Sequence, residues 1–262
     1  MIQAPILRIE HLTKDFGGIR AINALDLSVG TNEIVAIIGP NGSGKTTLFN
    51  VIVHLYDSDA GAIYFGDPAV DLARLATHAI NAAGVARTFQ NLRLFPNLTV
   101  VENVLVGMNA RLSGGLFGAI LNSRRTQREE VEAEKRALDL LSMFGHRLVS
   151  MYNEPAASLS YANRRRLEIA RALASGPKLL LLDEPAAGMN PSETREIMED
   201  IRAIHARGCA ILLIEHDMGL VEGLADRVVA IDHGVKIIEG SYQEVCRNPQ
   251  VIEAYLGKGA HA

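Results

Sequence analysis

A glycine-rich segment between an apolar run and a helical pattern has the residue types that hold phosphate groups. Residues 39–46 match G-x-x-x-x-G-K-[ST] in full, after the β-branched run Ile34–Ile38 and before a helical pattern over residues 47–54. Glycines let backbone N–H groups turn towards phosphate oxygens, and the helix N-terminus adds positive potential. The pattern predicts a phosphate-binding loop, named the P-loop below. The predicted nucleotide-binding residues are Gly39, Pro40, Asn41, Gly42, Ser43, Gly44, Lys45, Thr46 and Thr47.

Side chains in and beyond this loop have the types needed for phosphoryl transfer. Lys45 would reach the β- and γ-phosphates of a nucleotide, and the Thr46 hydroxyl would bind Mg²⁺. The apolar run 179–182 ends in two carboxylates, Asp183 and Glu184. Asp183 would hold Mg²⁺ through water, and Glu184 would orient or deprotonate the attacking water. Such an acidic pair more often caps a helix when it stands alone, so its interpretation depends on the P-loop.

Three predicted strands must position these residues. The runs Ile34–Ile38, 179–182 and Ala210–Ile214 are continuous and apolar, which is typical of strands buried on both faces of a parallel sheet. Residues 190–193 have an N-cap residue, proline at the first helical position and glutamate three residues after the cap, which predicts a helix start. Strands alternating with helices predict an α/β fold with a mostly parallel sheet and helices on both faces.

The stretch from about residue 91 to 159 has a different pattern and predicts a helical insertion. Residues 99–102 form a capping box that opens a helix through about Asn109, and glycines at 114, 115 and 118 indicate a loop. A second helix is predicted over 126–144, with its charged side solvated or, alternatively, facing a partner. Its apolar positions at helical spacing are Val131, Leu138, Leu141 and Phe144.

Composition excludes several classes of protein. The 262 residues include 26 Lys and Arg against 30 Asp and Glu, for a net charge of −4, and 48% are hydrophobic. This is the balance of an ordinary globular protein, and its slight acidity argues against a nucleic-acid partner. The longest apolar runs fall far short of the ~20 residues of a membrane span. Two cysteines are too few for a disulfide scaffold, so a reducing, cytosolic setting fits.

The order of the motifs resembles that of the nucleotide-binding subunits of ATP-binding cassette (ABC) transporters, over essentially the whole chain. Two further segments, 87–90 and 159–166, lie between the P-loop and the acidic pair, and His216 follows the pair. The family has its motifs in the same order. The resemblance implies a P-loop NTPase (RecA-like) α/β core with an antiparallel β subdomain and an inserted α-helical subdomain. Residues 1–262 would form a single ABC ATPase domain. Residues 1–90 and 176–262 would be its core, and 91–175 its helical subdomain with the signature loop.

The same resemblance implies roles for individual residues. Gln90 is similar to the Q-loop glutamine, which touches Mg²⁺ and signals to the membrane partner, and His216 to the switch histidine that contacts the γ-phosphate. Phe16 resembles the aromatic residue that stacks on adenine, with a core phenylalanine as the alternative. Ser160 would donate to the γ-phosphate of ATP on the opposing subunit. The catalytic set is then Glu184, His216 and Gln90, and the Mg²⁺ set is Thr46, Gln90 and Asp183.

Two departures from the family pattern stand out. The signature loop, usually Leu-Ser-Gly-Gly-Gln, is Leu-Ser-Tyr-Ala-Asn at 159–163. Tyr161 and Ala162 replace glycines that let backbone approach phosphate, and alanine adds a Cβ where φ > 0 is expected, so the site completed by this loop is expected to be weaker. The usual aspartate of the loop after the catalytic glutamate is Asn190, which loses the charge and keeps a hydrogen-bonding side chain.

Several segments are similar to one branch of the family, the high-affinity branched-chain amino-acid importers, and to the first of their two different ATPase subunits. Close relatives import urea or short amides, and this alternative stays open. The segments are 87–95, 165–171, 184–191, 214–218 and 248–257, together with the longer insertion around residues 114–128.

The implied protein is an ATP-hydrolysing subunit, with ATP and Mg²⁺ as cofactors, at the cytoplasmic face of the bacterial inner membrane. Its expected partners are a second, different ABC ATPase subunit, two integral-membrane permease subunits and, indirectly, a periplasmic or extracellular substrate-binding protein. One rival is a soluble ABC ATPase without a permease, although the chain has no extended heptad tract like that of the coiled-coil DNA types. Another is an exporter of a lipid-linked molecule, whose signature loop usually keeps both glycines.

Overall fold

The structure is a computed structural model that describes residues 4–108 and 124–256. Within these residues, strands form two sheets. They are β1 (Leu7–Phe16), β2 (Ile19–Val29), β3 (Ile34–Ile38), β4 (Ala60–Phe65), β5 (Val70–Asp71), β6 (Val85–Arg87), β7 (Leu179–Asp183), β8 (Ala210–Ile214), β9 (Arg227–Asp232) and β10 (Val235–Gly240). One sheet has the order β10-β9-β3-β8-β7-β6, parallel except for the antiparallel pair β10 and β9. The other is antiparallel, in the order β2-β1-β4-β5. The predicted P-loop NTPase core with an antiparallel β subdomain is confirmed.

Both faces of the larger sheet are buried, which explains why its central strands are apolar without interruption. Along β3, Ala36 and Ile38 belong to the core cluster that includes the helices, whereas Val35 and Ile37 belong to the cluster that includes the antiparallel sheet. All five residues of β3 are buried, as are those of β7 and β8. The polar residues that end these strands are therefore held on a rigid edge.

The helices are described in the same residues. They are α1 (Lys45–Ile52), α2 (Thr77–Ala83), α3 (Val100–Met108), α4 (Arg124–Ser142), α5 (His146–Val149), α6 (Tyr161–Leu173), α7 (Pro191–His205), α8 (Met218–Leu224), α9 (Tyr242–Cys246) and α10 (Pro249–Leu256). The helix starts predicted at residues 99–102 and 190–193 are confirmed by both capping boxes. None of these helices is long and apolar enough to cross a membrane. Residue 109 and the glycines at 114, 115 and 118 lie outside the described residues.

The inserted helices α3, α4 and α6 pack against one another. On α4 the predicted apolar face is partly wrong, because Val131 is 68% exposed and Ala133 and Ala137 are buried. Leu141 is buried as predicted, and so is Phe144 just beyond the helix. Small residues let α4 approach its neighbours closely, which a count of large apolar side chains does not reveal. The boundaries of the single domain at 90/91 and 175/176 stay a prediction.

Candidate active site

The P-loop joins β3 to α1, and two of its glycines have no room for a side chain. A Cβ atom on Gly39 would lie 2.1 Å from the carbonyl oxygen of Ile231, and one on Gly44 would lie 2.4 Å from that of Ala21. Gly44 also has φ +102°, a backbone conformation that L side chains rarely adopt. The close approach of neighbouring backbone explains why the loop needs glycine at these positions.

The ammonium group of Lys45 lies inside the loop. Its Nζ donates to the carbonyl oxygens of Gly39 and Pro40, at 2.8 and 2.7 Å, and to the hydroxyl of Ser43 at 3.2 Å. Burial lowers the pKa of Lys45, and the negative charges of the acidic pair after β7 act in the opposite direction. The lysine, the loop and the acidic pair are thus close enough to interact.

Asp183 is the last residue of β7 and is 1% exposed. Its Oδ2 accepts a hydrogen bond from Arg87 Nη2 at 2.9 Å, and Arg87 is 4% exposed. Burial raises the pKa of Asp183, and the Arg87 guanidinium opposes that shift. Its other oxygen, Oδ1, is buried and has no hydrogen-bond partner within the described chain. An anchored carboxylate with one unused oxygen fits the hard oxygen ligand that Mg²⁺ requires.

Glu184 has a strained backbone and a side chain that contacts Gln90. Its φ is +48°, uncommon for a residue other than glycine, and its N–H donates to the carbonyl oxygen of Ile214 on β8 at 2.9 Å. Gln90 Nε2 donates to Glu184 Oε2 at 3.1 Å. Two residues that the sequence assigns to catalysis, 94 positions apart, are therefore in direct contact.

A buried ion pair on α6 holds the backbone around Gln90, the segment named the Q-loop here. Arg165 and Glu168 are 0% and 1% exposed and lie 2.9 Å apart. Arg165 donates to the carbonyl oxygens of Phe89 and Gln90, at 2.6 and 3.0 Å. Glu168 Oε1 accepts from the N–H of Arg93 at 3.2 Å. The sequence reasoning gave neither residue a role, and the available signal was their i,i+3 spacing just after the signature loop.

Glu215 is a second buried residue without a role in the sequence reasoning. It is 1% exposed, and its carboxylate accepts from the backbone N–H groups of Ala186 and His216, each at 3.0 Å, and of Asp217 at 3.3 Å. Burial raises the pKa of Glu215, and these three hydrogen bonds oppose the shift. Glu215 therefore joins the backbone after Glu184 to that of His216, whose imidazole side chain is 64% exposed.

The signature loop ends at the start of a regular helix. Ser160 is the N-cap of α6, and its hydroxyl accepts from the N–H of Asn163 at 3.3 Å. Tyr161 and Ala162 form the first turn, and neither has a positive φ. The expectation that alanine occupies a position needing φ > 0 is wrong, since helical backbone accepts both residues without strain. Ala162 is buried and Tyr161 is 40% exposed.

Asn190 has a structural role in this chain. Its side-chain oxygen accepts from the N–H groups of Ser192 and Glu193, at 2.9 and 3.0 Å, and Glu193 completes the capping box of α7. The hydrogen-bonding ability expected to survive the loss of charge is used to begin this helix.

Phe16 is 42% exposed at the end of β1, so it is not the core residue of the alternative interpretation. Its ring makes an edge-on contact with Tyr56, with centroids 5.2 Å apart, and the Lys14 ammonium lies 5.2 Å from its centre. An exposed aromatic face beside a cation is suited to stacking on a base.

The structure thus brings most of the predicted site residues to one edge of the sheet. The P-loop, Asp183, Glu184 and Gln90 form one cluster linked by hydrogen bonds and charge. Within the described residues, no side-chain hydrogen bond of Ser160 or His216 reaches the P-loop. The sequence reasoning missed Arg87, Arg165, Glu168 and Glu215. These residues lie outside the cluster, and they hydrogen-bond to its carboxylates or to the backbone beside it.

Comparison with known proteins agrees with this arrangement. The sequence model of the ABC transporter family matches residues 22–187, and one described as branched-chain amino acid ATP-binding cassette transporter matches 235–261. The chain is 42% identical to the high-affinity branched-chain amino acid transport ATP-binding protein LivG of Escherichia coli (strain K12), over 97% of this chain and 98% of that protein.

Two solved structures are similar in fold. The first is the ADP conformation of an ATP-binding cassette of an ABC transporter, with a TM-score of 0.83 and 32% identity, and it covers 98% of this chain and 100% of that one. The second is a dimeric, post-hydrolysis ATP-binding cassette bound to ADP and Pi, with a TM-score of 0.75 and 25% identity, over 90% and 98% of the two chains. The chain belongs to the ABC transporter family, as one of its ATP-hydrolysing subunits.

Proposed function

We propose that this chain binds ATP with Mg²⁺ at the P-loop, hydrolyses it with Glu184 as general base, and powers an importer of branched-chain amino acids. The observation that carries the catalytic assignment is the contact of Glu184 with Gln90 next to the lysine of the P-loop. A carboxylate at the end of β7 with a nearby amide can hold and deprotonate one water molecule.

Each side chain has a distinct task in this proposal. Lys45 binds the β- and γ-phosphates, and the P-loop N–H groups enclose them. Thr46, Asp183 and Gln90 would hold Mg²⁺, which supplies positive charge that neutralises the phosphate oxygens. Glu184 takes the proton of the attacking water. The protein therefore contributes positioning and electrostatic stabilisation, as phosphoryl transfer requires.

The site needs a second subunit to be complete. Ser160 and the N-terminus of α6 would face ATP bound to the opposing chain, in a head-to-tail pair, and His216 and Phe16 would contact the γ-phosphate and the adenine. The exposed His216 and Phe16 side chains support this, because both are accessible to a nucleotide. The solved post-hydrolysis cassette that is similar to this chain is dimeric. We propose that the second subunit is a different ATPase chain, since a homodimer would place the Tyr161 side chain, which is 40% exposed, in both signature loops at a position where the family pattern has glycine.

Branched-chain amino acids are the proposed cargo. The support is the name of the relative that is 42% identical over 97% of the chain, together with the match of residues 235–261. Urea or a short amide is the second candidate, because ATPase subunits do not touch the cargo and closely related importers differ in it. Two permease subunits and an external substrate-binding protein complete the proposed assembly at the cytoplasmic face of the inner membrane.

Transport assays test the cargo directly. A bacterial strain from which the gene of this chain has been deleted is compared with the same strain carrying wild-type protein or the Glu184→Gln variant. Uptake of labelled leucine should be restored by wild-type protein and not by the variant. The proposed cargo would be contradicted if wild-type protein restored uptake of urea or of a short amide while leucine uptake was the same in all three strains. That result would favour the second candidate.

A further inference from the structure

The C-terminal helix α10 touches the P-loop through one hydroxyl group. Gly39 donates its backbone N–H to the Oη of Tyr255, in the last turn of α10, at 2.8 Å. The start of the helix is fixed independently: the side chain of Asn248 accepts from the N–H of Gln250 at 2.8 Å, and Val251 is 5% exposed in the core. The hydroxyl is thus presented to the loop by an anchored helix.

Gly39 is contacted at its N–H, at its carbonyl oxygen and at the position of its absent Cβ, and Tyr255 provides the first of these contacts. The carbonyl oxygen of Gly39 accepts from Lys45 Nζ at 2.8 Å, and the space where a Cβ would stand is filled by the carbonyl oxygen of Ile231. The hydroxyl of Tyr255 therefore restrains the peptide group before Gly39, while Lys45 is bonded to the peptide group after it. The two peptide groups are joined at the Cα atom of Gly39, so movement of the first would also shift the second, which has a hydrogen-bond acceptor of the lysine.

We propose that Tyr255 is a positioning residue for the P-loop, and that α10 stabilises the nucleotide-binding conformation of the loop through this hydroxyl. The inference rests on the proposed role of the P-loop in binding ATP. The contact comes from α10, which lies outside the general ABC transporter match at residues 22–187 and within the match at 235–261. Tyr255 is 40% exposed, so its ring is not a core-filling group, and its hydroxyl is the part that the loop uses.

Removal of the hydroxyl alone tests this role. Tyr255→Phe keeps the ring and removes the acceptor of the Gly39 N–H, so we expect ATP affinity by calorimetry to fall about 3- to 10-fold, the value of one hydrogen bond. The exchange rate of the Gly39 amide proton, measured by NMR, should rise. Tyr64→Phe, on β4 of the antiparallel sheet, is the matched control and should leave both quantities unchanged.

The outcomes separate this inference from the function on which it rests. Wild-type affinity in Tyr255→Phe overturns the inference whether or not amide exchange rises, and a loss only in Tyr255→Ala would assign the residue to packing. Lys45→Ala is measured in parallel. If that variant keeps ATP affinity, the proposed P-loop function fails; if it loses affinity while Tyr255→Phe keeps it, only the role of Tyr255 fails.

Discussion

Arg87 should stabilise the fold chiefly by compensating the buried charge of Asp183. Its guanidinium donates to Asp183 at 2.9 Å and to the side chain of Asn50 at 2.7 Å. The Arg87→Met variant keeps an unbranched apolar side chain and removes both hydrogen bonds, together with the guanidinium that lies 5.4 and 5.0 Å from the ring centres of Phe49 and Phe89. Asp183, already without a partner for Oδ1, would then be a buried carboxylate with neither oxygen bonded to a side chain.

The expected loss is large compared with that of a surface pair. Removing one partner of a buried ion pair costs about 3–5 kcal/mol, because the other charge is left uncompensated. Counting instead two hydrogen bonds to a charged donor, at about 1.5–3 kcal/mol each, gives a similar range. Arg136→Met is the matched control, because Arg136 and Glu132 form an i,i+4 pair that is 67% and 65% exposed. Such a pair contributes about 0.3–0.5 kcal/mol.

Urea unfolding of the metal-free protein, followed by circular dichroism, measures these free energies. The double variant Arg87→Met/Asp183→Asn replaces the stranded carboxylate with a neutral amide, so it should recover at least about 1.5 kcal/mol relative to Arg87→Met alone. The reasoning is refuted if Arg87→Met costs no more than the Arg136→Met control. It is also refuted if the double variant is no more stable than Arg87→Met, since the loss would then come from packing and not from an uncompensated charge.

Three further predictions concern the active site, a thiol and a glycine. Glu184→Gln should keep its ATP affinity, measured by calorimetry, and lose more than about 90% of steady-state turnover, a rise of at least ~1.4 kcal/mol in the activation barrier. A variant that keeps more than about a tenth of the wild-type rate would exclude Glu184 as the general base. Burial raises the pKa of Cys209 to about 11, so roughly 0.1% is thiolate at pH 8. Iodoacetamide labelling of native protein, located by mass spectrometry, should therefore modify Cys246 first, with the Cys209 rate rising about tenfold per pH unit up to pH 10. Equal labelling of both at pH 8 would show that Cys209 is not buried. Gly39→Ala should lower the free energy of urea unfolding by about 1–3 kcal/mol. Gly18→Ala should leave it unchanged, because the space around its Cβ is open. Equal effects of the two variants would contradict the steric argument.

The predictions from sequence succeeded where the signal is local. The strand Ile34–Ile38, the P-loop and the capping box at residues 190–193 are each specified by neighbours within about eight positions, through periodicity, glycine geometry or a helix cap. Contacts between distant residues could not be predicted in this way. Gly39 and Tyr255 are 216 positions apart, and nothing near either residue indicates that they meet.

Helical periodicity also failed in one informative place. The pattern assigned Val131 to the buried face of α4, and the structure buries Ala133 and Ala137 instead. Alanine contributes little to a periodic pattern of large apolar side chains, yet its small size lets α4 approach α3 and α6 closely. The buried side of a helix in a tightly packed bundle is decided by fit as well as by hydrophobicity, and fit requires the neighbouring helices.

Buried charges behind an exposed active site have a common physical cause. The loops containing Gln90 and His216 lack regular secondary structure, so their backbone N–H and C=O groups need other partners. Arg165 supplies donors to the first loop, and Glu215 supplies acceptors to the second. Desolvation of these charges opposes folding, but an apolar residue in either place would leave several backbone groups without partners. The side chains of Gln90 and His216 are thus exposed on backbone segments whose polar groups are hydrogen-bonded to buried charges.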